Sequence, residues 1–457
     1  MGRITLAQAA LWCGGQVDPK YGEVTFLGAN NDTRKLQPGQ LFLALQGVRD
    51  GHEFIDIAME KGAAAVLCTH CEKDIPAIVV PDVRRALGDI ARQERKRIGM
   101  KVVGVTGSVG KSTTKEMIAC VLRSTYRVSK TPVNHNNDIG MPMAILGMSE
   151  DTQVAVLEMG MNHFREIAYL ASIARPDVAV IINIGTMHIE HLGSQEGILQ
   201  AKLEILEGMR EDGALIFNGD DKLLWGRRKA YPLKTTYFGC ANPECDVTGG
   251  NIREEDGALR FSATYENLTF PVELALEGKH YVSDALAAVA VGMVLNVNPS
   301  RIQENLSQFQ NMAGRQEIYQ AGDFTIINDC YNAGPESMTA ALDVLGNKPG
   351  RHIAVLGDML ELGVCTHAEH YRIGRIAAEK ADILLAFGPN AGRMVDGALT
   401  GGMNPASARA FDDRMTLAAA LAQIAKSGDV LLFKGSRGMH MELILEAFLK
   451  KIKKAEE

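Results

Sequence analysis

No stretch of this chain approaches the ~18 consecutive apolar residues that a membrane-crossing helix needs. Membrane insertion is therefore not expected. A basic surplus is missing too: 48 Lys and Arg face 55 Asp and Glu, for a formal net charge of −7. That argues against nonspecific nucleic-acid binding, which needs excess cations to release counterions. The one basic cluster, Lys450, Lys451, Lys453 and Lys454, reads as the solvated last turn of a helix, where cations are favoured. Cysteine is sparse, with 8 in 457 residues, so a disulfide scaffold is excluded. Cys68-Thr69-His70-Cys71 has metal-ligand spacing, and Cys240 and Cys245 lie close together. A structural zinc wants two tight pairs, so thiols without a metal are expected. Met1 to Gly15 lacks a small-x-small cleavage site and its apolar stretch is broken by Gln8. It reads as an amphipathic helix rather than a secretory leader. Leu6 stands where a myristoylation signal needs Ser or Thr. A cytoplasmic location is expected.

What is present is an ordinary globular composition, 46% hydrophobic and 23% charged. The length allows about three domains. The most informative segment runs from Lys101 to Met117. A β-branched run, Val102–Val105, leads into Thr106-Gly107-Ser108-Val109-Gly110-Lys111-Ser112-Thr113. A helical pattern follows, with Met117, Ile118, Val121 and Leu122 on one face. Strand, glycine loop, Lys-Ser and helix form a phosphate cradle, with backbone N–H groups and a helix N-terminus facing the anion. Lys111 would reach the β/γ-phosphates, and Ser112 would ligate Mg2+. The generic motif wants Gly where Val105 stands, so the fit is off by one residue. A glycine turn that merely caps a helix is the plainer alternative.

Further apolar runs occur at Val154–Leu157, Val178–Ile182, Ala214–Phe217, Ile353–Leu356, Ile383–Phe387 and Val430–Phe433. Helical patterns separate most of them, which predicts an α/β fold of parallel sheets with helices on both faces. Residues 235–275 read as antiparallel β, and Tyr281–Leu295 as a helix. Three units are expected: 1–82, a small α/β domain; 83–313, a central P-loop parallel-sheet ATPase domain; and 314–457, a C-terminal Rossmann-like α/β domain.

Ligands bind beyond the carboxyl ends of parallel strands. Glu158 ends one strand, where a nucleotide Mg2+ takes a second protein ligand; a solvated carboxylate is the alternative. Asn183 to His191 follows another strand, and there His188 could ligate metal, contact phosphate or cap a helix. Lys202 could neutralise phosphate charge or lie on the surface. Asn134, Asn136, Asn137 and Asp138 form a polar loop, which is also ordinary turn chemistry. In the last domain Asn328-Asp329-Cys330-Tyr331-Asn332 and its continuation to Met338, Leu356–Gly363, and Lys434-Gly435-Ser436-Arg437 each follow an apolar run. Three such ends on neighbouring strands predict a binding edge.

Together these motifs resemble the Mur ligase family, whose phosphate loop Thr106 to Thr113 fits. The match also takes in Asn31-Asp32-Thr33-Arg34, Pro38–Phe42, Asp50-Gly51-His52, Asn134–Gly140, Glu158-Met159-Gly160, Lys202-Leu203-Glu204 and Gly278-Lys279-His280. It ends in Tyr331-Asn332-Ala333, Leu356–Gly363 and Lys434–Arg437. The resemblance implies an ATP-dependent amide ligase that adds D-alanyl-D-alanine to a UDP-N-acetylmuramoyl-tripeptide through an acyl phosphate. It implies ATP and Mg2+, small-molecule substrates and a monomer. By the same resemblance Asp32, Thr33 and Arg34 lie near the UDP substrate, and Asp50, His52, Asn134, Asn136, Asn137, Lys434 and Arg437 bind substrate, the Asn134–Asn137 loop lying close to the reacting groups or the nucleotide together with Tyr331 and Asn332. Ser112, Glu158, His188 and Lys202 (as a carbamate) would hold metal, and Lys111, Lys202 and His188 would be catalytic. Gly107 to Thr113, Arg315, Asp329 and Asn332 would bind ATP. The sequence departs from the family at Tyr281 and Asp284, where Asn is usual, and at Asp138, where Glu is usual. The Asp-Asn-Pro-Arg motif of the diamino-acid-adding member is missing, which favours the dipeptide-adding one. Rival readings are a folylpolyglutamate-type amide ligase, a P-loop ATPase switch that makes no bond, and a catalytically silent homologue.

Overall fold

The structure, a computed structural model, describes residues 4–231 and 233–456, with the side chains of 453–456 left out. Met1–Arg3 of the expected amphipathic helix, and the Lys453 and Lys454 side chains, thus lie outside the described residues. Thr5 caps a helix over Leu6–Cys13 by accepting from Gln8 N. Lys450 is exposed on the last helix, Met441–Glu456.

Three parallel-rich sheets follow one another along the chain. The first joins Ala29–Asn30, Leu41–Leu43, Ala65–Cys68 and Ala77–Val79, all parallel. The central sheet has nine strands. Lys101–Thr106 lies between Val178–Ile181 and Val154–Glu158, parallel to both, with Val128–Lys130 at the edge beyond Val154–Glu158. Strand order thus runs outward in both directions from Lys101–Thr106, which opens a crevice at its carboxyl end. Beyond Val178–Ile181 come Ala214–Asn218 and Lys234–Gly239, and then Val247–Glu255, Ala258–Tyr265 and Leu268–Leu274. The third sheet orders Glu317–Ala321, Phe324–Asp329, Val430–Lys434, His352–Gly357, Ile383–Phe387 and Ala408–Phe411, with only the first strand antiparallel.

One strand departs from the expected antiparallel stretch. Lys234–Gly239 pairs in parallel with Ala214–Asn218. The helix Lys222–Gly226 lies in the intervening connection, and a parallel pair requires such a crossover. Thr236–Gly239 are buried, so this strand belongs to the interior of the sheet rather than to the hairpins after it.

The core crosses the seam between the first two units. Leu6, Ala9 and Phe26 belong to the same cluster as Leu87, Ile90, Ala91, Val102, Leu157 and Ile181. The helix Val83–Ile98 carries that continuity, because its apolar face touches Leu6–Cys13 and also Gly140–Leu146 and Glu166–Ala174. The third sheet keeps separate cores on its two faces.

Candidate active site

Lys101–Thr106 is buried from Val102 onward, as a strand flanked on both sides must be. Its end turns through Gly107–Gly110 into the helix Lys111–Leu122. Gly110 sits at φ 85, and a Cβ there would lie 2.7 Å from Asp284 Oδ1, so only glycine fits. Asn183 braces the loop. Its Oδ1 accepts from the Ser108 and Val109 amides at 2.9 Å, and its Nδ2 donates to Val109 O at 2.9 Å. The first intrahelical bond is Thr114 N to Gly110 O. The amides of Lys111, Ser112 and Thr113 therefore have no acceptor within the helix and form a ready anion site. Lys111 donates back to Gly107 O at 2.9 Å and Ser108 O at 3.2 Å. Burial pushes its ammonium below the ordinary lysine range, the Glu158 carboxylate opposes that push, and Arg315 adds to it.

Glu158, 3% exposed, ends the adjacent strand. Its Oε2 accepts from Ser112 Oγ at 2.8 Å and its Oε1 from Asn136 Nδ2 at 2.8 Å. Two hard oxygen donors, a carboxylate and a hydroxyl, thus meet beside the phosphate cradle, which is the donor chemistry Mg2+ prefers. The fully buried Lys115 lies beneath them. Its Nζ donates to Thr131 O at 2.8 Å and stands 3.8 Å from Glu158 Oε2, offsetting part of the cost of a buried carboxylate.

Lys202 is 2% exposed in the helix Gln195–Leu203, so the surface alternative fails. Burial pushes its ammonium well below the usual lysine range, and the nearby Lys111 cation pushes the same way. Glu204, next along, caps the helix Glu166–Ala174 by accepting from Arg165 N at 2.7 Å and Ala168 N at 3.2 Å.

The third domain closes the crevice. Arg315 donates to Ser112 Oγ at 2.8 Å and stacks on the Tyr331 ring, 3.8 Å from its centroid. Tyr331 OH bonds Asn134, which sits at φ 66. Glu336 accepts from Thr186 N at 3.0 Å and Thr186 Oγ1 at 3.1 Å. Glu361 Oε2 lies 2.5 Å from His188 Nδ1. Lys434 pairs with Asp329 at 2.5 Å and donates to Asn332 O at 3.0 Å. The resulting cleft of about 1330 Å3 is lined by Ser108 to Thr113, Asn136, Asn137, Glu158, His188, Arg315, Asp329, Asn332 and Lys434.

Not every expected residue reaches it. Asp32 grips Arg34 through two bonds of 2.9 Å, and Asp50 Oδ1 lies 2.6 Å from His52 Nδ1. With Thr33 these form a separate region of the first domain, outside the cleft lining. Asn134 and Arg437 also stand outside the lining, and so does Lys202, under the floor. The cysteines are free thiols, and burial pushes Cys68 and Cys245 up to about 12, so neither offers a thiolate. Among the described residues no three His, Cys, Asp or Glu side chains gather as a metal cluster. The Ser112–Glu158 pair is a different donor set, in which only one member is of those types. The sequence alone assigns no role to Asn183, Lys115, Glu336 or Glu361, although all four fall within stretches it singles out.

His280 also lines the cleft, with its ring against Tyr281, centroids 4.1 Å apart. Asp284 accepts from Thr114 Oγ1 at 2.8 Å. Burial pushes its carboxyl up to about 7, against the pull of Thr114 and Arg315. An unfolded aspartate titrates near ~3.9, so between about pH 4 and 7 the folded chain holds a proton the unfolded chain lacks. The contribution of Asp284 to stability therefore falls as pH rises through that window and stays lost above it. Asp284→Asn cannot ionise. Its thermal midpoint, relative to the parent, is expected to be several degrees higher at pH 8 than at pH 5. An equal difference at the two pH values would mean the carboxyl is already charged in the fold.

Three family models match the chain: the Mur ligase family catalytic domain over residues 23–95, the Mur ligase middle domain over 105–292, and the Mur ligase glutamate ligase domain over 314–437. The chain is 39% identical over 442 residues to the UDP-N-acetylmuramoyl-tripeptide–D-alanyl-D-alanine ligase of Bacillus subtilis (strain 168), covering 95% of each. It is similar to a crystal structure of MurF from Acinetobacter baumannii, with a TM-score of 0.90, 31% identity, and coverage of 98% of this chain and 99% of that one. It is also similar to the MurF ligase of Thermotoga maritima in complex with ADP, with a TM-score of 0.83, 30% identity, and coverage of 94% and 98%.

Proposed function

This chain belongs to the Mur ligase family, and we propose that it joins D-alanyl-D-alanine to a UDP-N-acetylmuramoyl-tripeptide at the expense of ATP. Near-complete coverage by a ligase of that name carries the substrate assignment. The meeting of Lys111, Ser112 and Glu158 under a closing Arg315 supports the chemistry. The division of labour follows the three units: 1–82 for the UDP substrate, 83–313 for ATP, and 314–457 for closure and the incoming dipeptide.

A carboxylate resists attack by an amine because oxide leaves poorly. The tripeptide carboxylate therefore attacks the γ-phosphorus of ATP, the β–γ bridging bond breaks, and ADP departs from an acyl phosphate. Lys111 and the free helix amides hold the transferring phosphoryl group in line and offset its charge. The dipeptide amine then attacks the acyl carbon, its proton is lost, and inorganic phosphate leaves. Fixed cations such as Arg315 steady the oxyanion in between. Ser112, Glu158, His188 and Lys202, the last as a carbamate, are the residues that would hold Mg2+. A cation held there would supply positive charge that offsets the charge of the phosphates. A buried neutral amine is the form that adds to carbon dioxide, releasing a proton, so the depressed lysine suits that modification. The ties between Glu336 and Thr186 and between Tyr331 and Asn134 exclude water that would hydrolyse the acyl phosphate. The adjacent His280 and Tyr281 rings would form an aromatic wall for the base, in place of an amide side chain. The enzyme acts as a cytoplasmic monomer in this reading.

Phosphate release should require the tripeptide nucleotide, D-alanyl-D-alanine and Mg2+ together. Release at full rate without the dipeptide would sink the assignment in favour of an ATPase switch. Activity with a folate acceptor would favour the folylpolyglutamate-type reading.

A further inference from the structure

The contact between Glu361 and His188 joins two domains at a point where both backbones are strained. His188 sits at φ 64 and Glu361 at φ 64, in the left-handed region that non-glycine residues avoid. Such a backbone is unfavourable and persists where the surroundings over-determine it. Those surroundings are visible. Leu360 N donates to Ser436 Oγ at 2.9 Å and Met359 N to the buried His370 Nε2 at 3.0 Å, fixing the chain just before Glu361. Thr366 Oγ1 holds Gly363 O at 2.7 Å just after it. A Cβ at Gly363 would lie 3.1 Å from Glu190 Cα, so the loop docks directly on the short helix that His188 begins.

The chemistry of the pair is asymmetric. A carboxylate at neutral pH only accepts, so at 2.5 Å the His188 Nδ1 carries the hydrogen. With Nδ1 turned to Glu361, Nε2 is the nitrogen that could offer a lone pair to a metal. His188 lines the cleft and Glu361 does not, so Glu361 acts only through the ring. We infer that Glu361 is a positioning residue: it fixes the tautomer and orientation of His188 toward the metal site, and does so only when the third domain is closed on the central one. This rests on the proposed role of His188 as a metal ligand. Carboxylate partners of this kind orient ligating histidines in metal sites generally. Here the partner arrives from another domain, so metal binding and closure strengthen each other by the same factor.

Mn2+ binding by the full-length protein, followed by electron paramagnetic resonance with a non-hydrolysable ATP analogue present, tests this without turnover. Glu361→Ala is expected to weaken Mn2+ affinity roughly 10-fold. Glu361→Gln keeps an oxygen that can accept from Nδ1 and should lose distinctly less. Glu336→Ala removes the acceptor of the Thr186 bonds and so loosens the same domain without touching His188; it should stay closer to the parent than Glu361→Ala. Thermal melting of each variant checks the fold. Parent-like affinity in Glu361→Ala, or an equal loss in Glu336→Ala, overturns the inference. If His188→Ala weakens Mn2+ binding while Glu361→Ala does not, only the positioning role falls. If His188→Ala has no effect, the ligand role fails and the inference fails with it.

Discussion

Lys111→Ala is expected to lower turnover on the order of 1,000-fold or more while leaving the fold intact. The size follows from what the ammonium does. It lies at the mouth of three free helix amides and faces the phosphoryl group whose charge is redistributed during transfer. Removing one such fixed donor from a water-poor site typically costs that much in rate. Fold is spared because Lys111 in the free protein bonds only to carbonyls of its own loop, Gly107 and Ser108. Its loss even relieves the cost of burying a cation that burial already disfavours. The check is coupled phosphate release at saturating substrates, beside a melting curve. Cys71→Ala, far from the cleft lining, should match the parent in both. Turnover within 10-fold of the parent in Lys111→Ala would remove the phosphate cradle from the mechanism.

Lys202→Ala should be the other near-complete loss, on the order of 100-fold, and it should respond to additives in a distinctive way. A lysine acting as a plain cation would be replaced best by arginine. A lysine that carries a carbamate supplies two oxygens, and neither alanine nor arginine restores them. Small carboxylic acids such as acetate or formate can. The structure favours the second reading, because a second cation near Lys111 under the cleft floor would be costly, whereas an anion there would be welcome. Partial recovery of Lys202→Ala with rising acetate, and none in Lys202→Arg, is the expected pattern. Substantial activity in Lys202→Arg alone would speak for the plain cation.

Much of this was legible in the chain. The strand–loop–helix of Val102 to Leu122 follows from β-branched residues, glycines and a 3.6-residue stripe, and each is a local signal. The strand-end residues Glu158, Asp329 and Lys434 face the cleft because parallel sheets present their carboxyl ends to ligands. Lys234–Gly239 was misjudged, because a threonine- and aromatic-rich strand looks alike in parallel and antiparallel company. What the sequence hid was long-range. Thr186 and Glu336 are 150 residues apart, and His188 and Glu361 are 173 apart, with no periodicity linking either pair. The first-domain motif was visible, yet in the free fold its aspartate is spent on its own arginine.

The helix Val83–Ile98 has a consequence for how this chain can be divided. A fragment that begins at residue 83 would bare Ala86, Leu87, Ile90 and Ala91, which belong to a helix packed on Leu6–Cys13 and share one core with it and the central strands. A fragment ending near residue 313 would mainly cut polar ties, such as those of Arg315, Glu336 and Glu361. The chain is thus three domains by sheet but two by folding: a front piece that stands or falls together, and a back piece free to swing.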